Sequence, residues 1–131
     1  MRLRNFLLGV TGLSTHRVKS YSAASGYVYQ YSFQLSRRAR RGFFTPGTEH
    51  VFEVSRDRKT SYLLAVFVRD DALKAWSKIH QRELSAAECY AAAKMRLFRV
   101  FDSLDDPEKE AEAAVVDAAN IAELLEGLDI S

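Results

Sequence analysis

Arg37, Arg38, Arg40 and Arg41 place four guanidinium groups within five positions of a 131-residue chain. That density is too high for each to find a carboxylate of its own. A planar guanidinium fork makes paired, charge-assisted hydrogen bonds, so this run suits contact with phosphate on a nucleic-acid backbone or another polyanion. Arg56, Arg58 and Lys59 form a second, smaller basic cluster. Short basic runs are common, and the competing reading is a solvated loop, or one clamped by acidic residues of the same chain.

Tyr27, Tyr29, Tyr31 and Phe33 recur at every second position. Such a row is a stacking platform for unpaired bases, a subunit interface, or the inward face of a strand. The alternate residues Val28, Gln30, Ser32 and Gln34 are the wetter set. The aromatic row is therefore read as core or interface, with Gln30 and Gln34 outward.

Other reactive residues assemble nothing. His50 and Glu53 are three apart in a strand-like segment and point to opposite faces. His16, His50 and His80 show no metal-ligand spacing, and no metal or cofactor site is expected. Cys89 is the single cysteine, which excludes an internal disulfide and reads as a small buried hydrophobe. Gly9–Thr15 is rich in glycine and hydroxyls but lacks the lysine ending of a phosphate loop. Asp102, Asp105, Asp106 and Glu108 cluster as helix-capping residues do. With no nucleophile, base and orienter together, a binding module is expected rather than an enzyme.

Charge is divided unevenly along the chain. Residues 1–60 carry eleven Lys/Arg against three Asp/Glu, 61–100 seven against four, and 101–131 one against ten. The nets of +8, +3 and −9 return the overall +2. Such a split fits a basic face with an anionic partner, a basic face neutralised by an acidic helix, or pairing between copies.

The elements that must position these groups follow from periodicity. Strands are expected over 27–35, 49–54 and 61–68, the last apolar on both faces. The 36–48 connection is read as a long arginine-rich hairpin loop with a Pro46-Gly47 turn, and 55–60 as a shorter loop. In a three-stranded meander the two loops leave opposite ends, ~23 Å apart for strands of about seven residues. The two basic clusters would then bracket an extended polyanion but not share one phosphate.

Helices are expected over 71–80, with Leu73, Trp76 and Ile79 on one side, and over 85–104, opened by a Ser85/Glu88 capping box. Asp106-Pro107 should restart a third, acidic helix over 107–126, its apolar side Ala111, Val115, Ala118, Ile121, Ala122 and Leu125. Residues 1–20 are basic and then apolar without a cleavage pattern. They read as a short helix or an edge segment in preference to a signal peptide, and the cysteine usage fits a reducing cytoplasm. No apolar run is long enough to span a bilayer, so no membrane partner is expected.

The whole is an α+β domain over 1–131: a three-stranded antiparallel sheet backed by C-terminal helices. Two functions are expected of it: binding nucleic acid or another polyanion through Arg37–Arg41, or a protein-interaction or self-assembly (homodimer) role without catalysis, since a narrow sheet leaves two edges to cover.

Overall fold

Strand alternation and helix capping decide most of the architecture. The computed structural model describes residues 17–131. In chain order it holds β1 (Lys19–Ser22), β2 (Val28–Arg41), β3 (Thr45–Ser55), β4 (Tyr62–Arg69), α1 (Asp70–His80), α2 (Ala86–Ser103), α3 (Pro107–Ala113), β5 (Val115–Val116) and α4 (Ile121–Glu126). The sheet order is β1-β2-β3-β4-β5, with β1 to β4 an antiparallel meander and β5 parallel to β4.

The α+β class is as expected, but the sheet has five strands instead of three. The expected strands over 27–35, 49–54 and 61–68 are the middle of it. Two are longer than periodicity indicated. The 36–48 segment is not a loop: β2 runs through Arg41 and β3 begins at Thr45, joined by Gly42-Phe43-Phe44. Gly42 takes φ +59°, a left-handed conformation that favours glycine. Pro46-Gly47 makes no turn, because both residues lie in β3. Pro46 sits one residue beyond the last β3–β4 pair, Gly47↔Arg69, so its missing N–H disturbs no bond to β4. A Cβ on Gly47 would lie 2.5 Å from the Val68 carbonyl oxygen, so the close approach of β4 requires glycine there.

A bulge between Phe33 and Leu35 leaves Gln34 without a partner in β3. The extra residue reverses the alternation. Tyr29, Tyr31 and Phe33 face the helices before it; Ser36, opposite His50, and Arg38, opposite Thr48, do so after it. Tyr29, Tyr31, Phe52, Val54, Leu64, Val66 and Val68, with Phe33 packed against them, make one wall of the core, and Trp76, Ala93, Leu97, Val100, Phe101, Leu124 and Leu125 make the other. Tyr29 stacks on Phe101 at 3.9 Å, and Tyr21 on Phe98 at 4.2 Å.

Helix starts follow the sequence. Ser85 Oγ accepts from the Glu88 N–H while Glu88 accepts from the Ser85 N–H, the expected capping box. Asp106 caps α3 with Pro107 at the first position. Ile79, expected on the inner side of α1 with Leu73 and Trp76, is exposed instead.

The acidic helix expected over 107–126 is broken in two. Val115 and Val116 pair with Phe67 and Val68 of β4. Asn120 holds the following turn, donating to the Val115 carbonyl and accepting from the Asp117 N–H. The buried residues here are Glu110, Ala114, Val116, Ile121, Leu124 and Leu125; Ala111, Ala118 and Ala122 are exposed. Of the segment expected over 1–20, residues 1–16 lie outside the described residues, and Lys19–Ser22 forms an edge strand. Among the described residues no helix is long and apolar enough to cross a membrane.

Candidate functional site

The arginine run is a strand, and this changes what each guanidinium can do. Arg37 and Arg41 lie on the sheet face turned away from the helices. They share Glu49 across the ladder, Arg37 Nε donating to Oε1 at 2.7 Å and Arg41 Nη2 to Oε2 at 2.8 Å. Arg41 also lies 4.5 Å above the Phe67 ring. Burial of Glu49 opposes its ionisation, but the hydrogen bonds from Arg41 and Arg37 outweigh it and hold the carboxyl below its ordinary value. Arg38 is on the helix face and grips Asp70 with both ends of its fork, at 2.9 and 2.6 Å. That hydrogen bonding holds Asp70 below the usual carboxylate range.

Arg40 is exposed and has no partner among the described residues. Three of the four guanidiniums thus meet two carboxylates, and the acids that answer them come from β3 and α1, not from the acidic C-terminal segment. The pairs are surface pairs, with the Arg37 and Arg38 side chains 55% and 62% exposed. Exposed pairs of this kind contribute little to stability, so an incoming phosphate can compete for the same forks.

Two residues that the periodicity did not single out complete this end of the molecule. Phe43 and Phe44, at the hairpin tip, are 89% and 76% exposed, and among the described large apolar side chains only Ile79 matches Phe44. Their ring centroids are 6.4 Å apart. The sequence held a signal in Gly42-Phe43-Phe44-Thr45, two aromatics in a turn with nothing apolar in alternation to pair them.

The aromatic row on β2 plays a different part. Tyr29 and Tyr31 are buried and Phe33 half-buried, so these rings are core and not a stacking platform. Tyr27 departs from the row: it precedes the strand and is 41% exposed. Gln30 and Gln34 are half-buried, more exposed than Tyr29 and Tyr31 as expected but not fully solvated.

The second basic cluster lies at the far end of β3, roughly 33 Å along an eleven-residue strand. Arg56 does not reach outward: it donates to the Asp105 carbonyl and lies 5.0 Å above the Tyr27 ring. Arg58 sits at φ +66° in a turn held by Asp57, which accepts from the Lys59 and Thr60 N–H groups. Those backbone bonds hold the Asp57 carboxyl well below its usual range. The Arg58 and Lys59 side chains are exposed without partners among the described residues. Beside Arg56 lies a buried carboxylate, Glu110, which accepts from Tyr62 at 2.6 Å and from Tyr29 at 3.3 Å. Burial, with Glu110 alongside, pushes the Tyr29 phenol up to about 12.

No group of three or more potential metal ligands occurs among the described residues. Comparison with protein-family models, with curated proteins and with solved structures finds no match, so the site is read from its own geometry.

Proposed function

We propose that this protein is a non-enzymatic module that binds single-stranded nucleic acid through the β2–β3 hairpin. Arg40, with Arg37, Arg38 and Arg41 beside it, meets backbone phosphates, and Phe43 and Phe44 stack on unpaired bases. The observation that carries this reading is the exposure of two adjacent phenylalanine rings at the tip of a strand pair that bears four arginines. Water does not favour such rings, and a cationic track with aromatic platforms is the combination that non-specific single-strand binders use. Arg58 and Lys59 are too distant to share the same nucleotide and would touch only a long strand.

The homodimer reading rests on a weaker base. One of its premises, beside the charge split, is a narrow sheet of three strands, and the sheet has five. Beyond Tyr31 the outer edge of β2 has no strand partner among the described residues, yet antiparallel self-pairing there would bring arginines together.

Fluorescence anisotropy with a labelled RNA oligonucleotide tests the proposal. Log affinity should fall against log salt with a slope between about −0.7, for one phosphate contact, and about −2.8, for four. Arg40→Ala should weaken binding at every sequence tried. Absence of binding at ~50 mM salt, or binding only to anionic lipid vesicles, would overturn it.

A further inference from the structure

A cavity of about 530 Å³ opens between the helix face of the sheet and the start of α2. It lies within the size range of small-ligand sites. Its walls are apolar and partly aromatic, from Phe33, Val68, Leu73 and Tyr90, and its polar side is Ser36, Thr48 and His50, with Cys89 also in the lining. Ser36 Oγ and His50 Nδ1 lie 2.8 Å apart and share a hydrogen bond. The other ring nitrogen, His50 Nε2, is buried without any hydrogen-bond partner, on a side chain only 6% exposed. Buried polar atoms left in this condition are rare in folded proteins, and each costs free energy until something pairs with it.

The lining also says what cannot enter. None of the residues around the cavity is an acid, a lysine or an arginine. Burial lowers the His50 pKa and favours the neutral ring. A charged group seated there would be desolvated with no counter-charge. The neighbouring guanidinium, Arg38, does not line the cavity, and its fork is directed at Asp70 and Thr48 Oγ1. Tyr90 lies edge-on to His50 at 5.8 Å and to Phe33 at 5.0 Å, so the walls present ring faces and edges suited to a flat guest.

We propose that this cavity binds one uncharged, planar heterocycle, and that a small turn of the His50 ring, whose Nε2 is sealed from the cavity as the ring stands, lets the guest supply that nitrogen's missing hydrogen-bond partner. Two sources share that chemistry: a free small molecule, or a base of a strand running along Arg38 and Arg40, which share the helix face of β2 with Ser36. The site itself does not depend on the proposed function. Only the second source does.

The test uses the full chain and three bicyclic probes of similar size: indole, whose N–H donates; quinoline, whose nitrogen accepts; and naphthalene, which does neither. Binding is followed by the imidazole resonances of His50. One of the two heterocycles should bind saturably, shift those resonances, and bind about tenfold tighter than naphthalene, as a satisfied buried nitrogen implies. Which of them wins reports the His50 tautomer. Ala87→Trp, and separately Ala86→Trp, place a large ring at exposed positions on the cavity rim and should each weaken that probe at least about tenfold while the thermal midpoint holds. No saturable binding below ~1 mM, an unmoved His50, equal affinity for all three probes, or indifference to both tryptophan variants would each overturn the proposal. The same resonances, read during titration with an RNA oligonucleotide, separate the sources. A shift that both tryptophan variants suppress supports a base from the strand. An unmoved His50 with the oligonucleotide bound supports a free heterocycle, and failure of the oligonucleotide to bind at all removes the proposed function and leaves the cavity site standing on the probes.

Discussion

Glu110 offers the sharpest perturbation of the fold. It is fully buried, and its two oxygens accept from Tyr62 at 2.6 Å and Tyr29 at 3.3 Å. Glu110→Leu removes both acceptors. Tyr29 has a second acceptor in the Leu104 carbonyl at 3.2 Å and loses little. Tyr62 is left without an acceptor. A hydrogen bond to a charged group contributes ~1.5–3 kcal/mol, and burying leucine in place of a carboxylate returns part of that loss. The expected net cost is ~2–3 kcal/mol. For a chain of this length that lowers the thermal midpoint by roughly 8–12 °C. Tyr62→Phe should cost less, ~1–2 kcal/mol, because it deletes the group that would otherwise be orphaned. The double variant should cost at least ~1 kcal/mol less than the sum, since an apolar pair leaves no unmet donor. Urea unfolding of the four proteins closes the cycle. Glu112→Leu, on the exposed side of the same helix, should stay within ~0.5 kcal/mol. A Glu110→Leu protein as stable as the parent, or a cycle additive within ~0.5 kcal/mol, would refute the keystone role assigned to this carboxylate.

Other outcomes test the core, the sheet and the caps. Tyr29→Ala should cost roughly 3–5 kcal/mol by urea unfolding, whereas Tyr27→Ala, on a half-open ring outside the strand, should cost under ~1 kcal/mol. Gly47→Ala should destabilise by ~1–3 kcal/mol, because the added methyl meets the Val68 carbonyl and the Phe67 ring in a packed site. Glu88, held down to about 2 from an ordinary 4.5 by the Arg82 fork and by the Ser85 N–H, stabilises the folded chain above pH 4.5 and loses that effect as pH falls toward 2. Glu88→Gln should therefore lower the thermal midpoint at pH 7, with the difference closing near pH 2; a difference constant with pH would contradict the assignment.

Local signals read well, and paired ones did not. The alternation from Tyr29 to Phe33, the Ser85/Glu88 capping box, the Asp106-Pro107 helix start and the stripe of Ala93, Leu97 and Val100 depend on neighbours within a few residues, and all are realised. The arginine strand was hidden because arginine is not a strong strand former. What holds it extended is the facing strand: Glu49 opposite Arg37, and Thr48 opposite Arg38. The Gln34 bulge, which decides which arginines face Asp70 and which face Glu49, has no local signature. In 107–126 the helical spacing of alanines outweighed the β-branched Val115-Val116 pair and the Asp117…Asn120 turn chemistry. Only β4, nearly fifty residues earlier, converts that pair into a strand. Glu110 sat in a run of carboxylates that read as solvated, and its donors are 81 and 48 residues away. The candidate site was half legible: the arginines drew attention, but Phe43 and Phe44 matter only because the hairpin around them is short and tight.

Phe43→Ala, Phe44→Ala and the double replacement, each titrated with a labelled RNA oligonucleotide at ~50 mM salt, test the proposed function most directly. Neither ring supports the core, so all three proteins should unfold at the parent midpoint. Base stacking on an aromatic ring is worth ~1–3 kcal/mol, so each single replacement should weaken binding about 5- to 150-fold and leave the salt slope unchanged. Affinity that survives the double replacement intact would contradict the account.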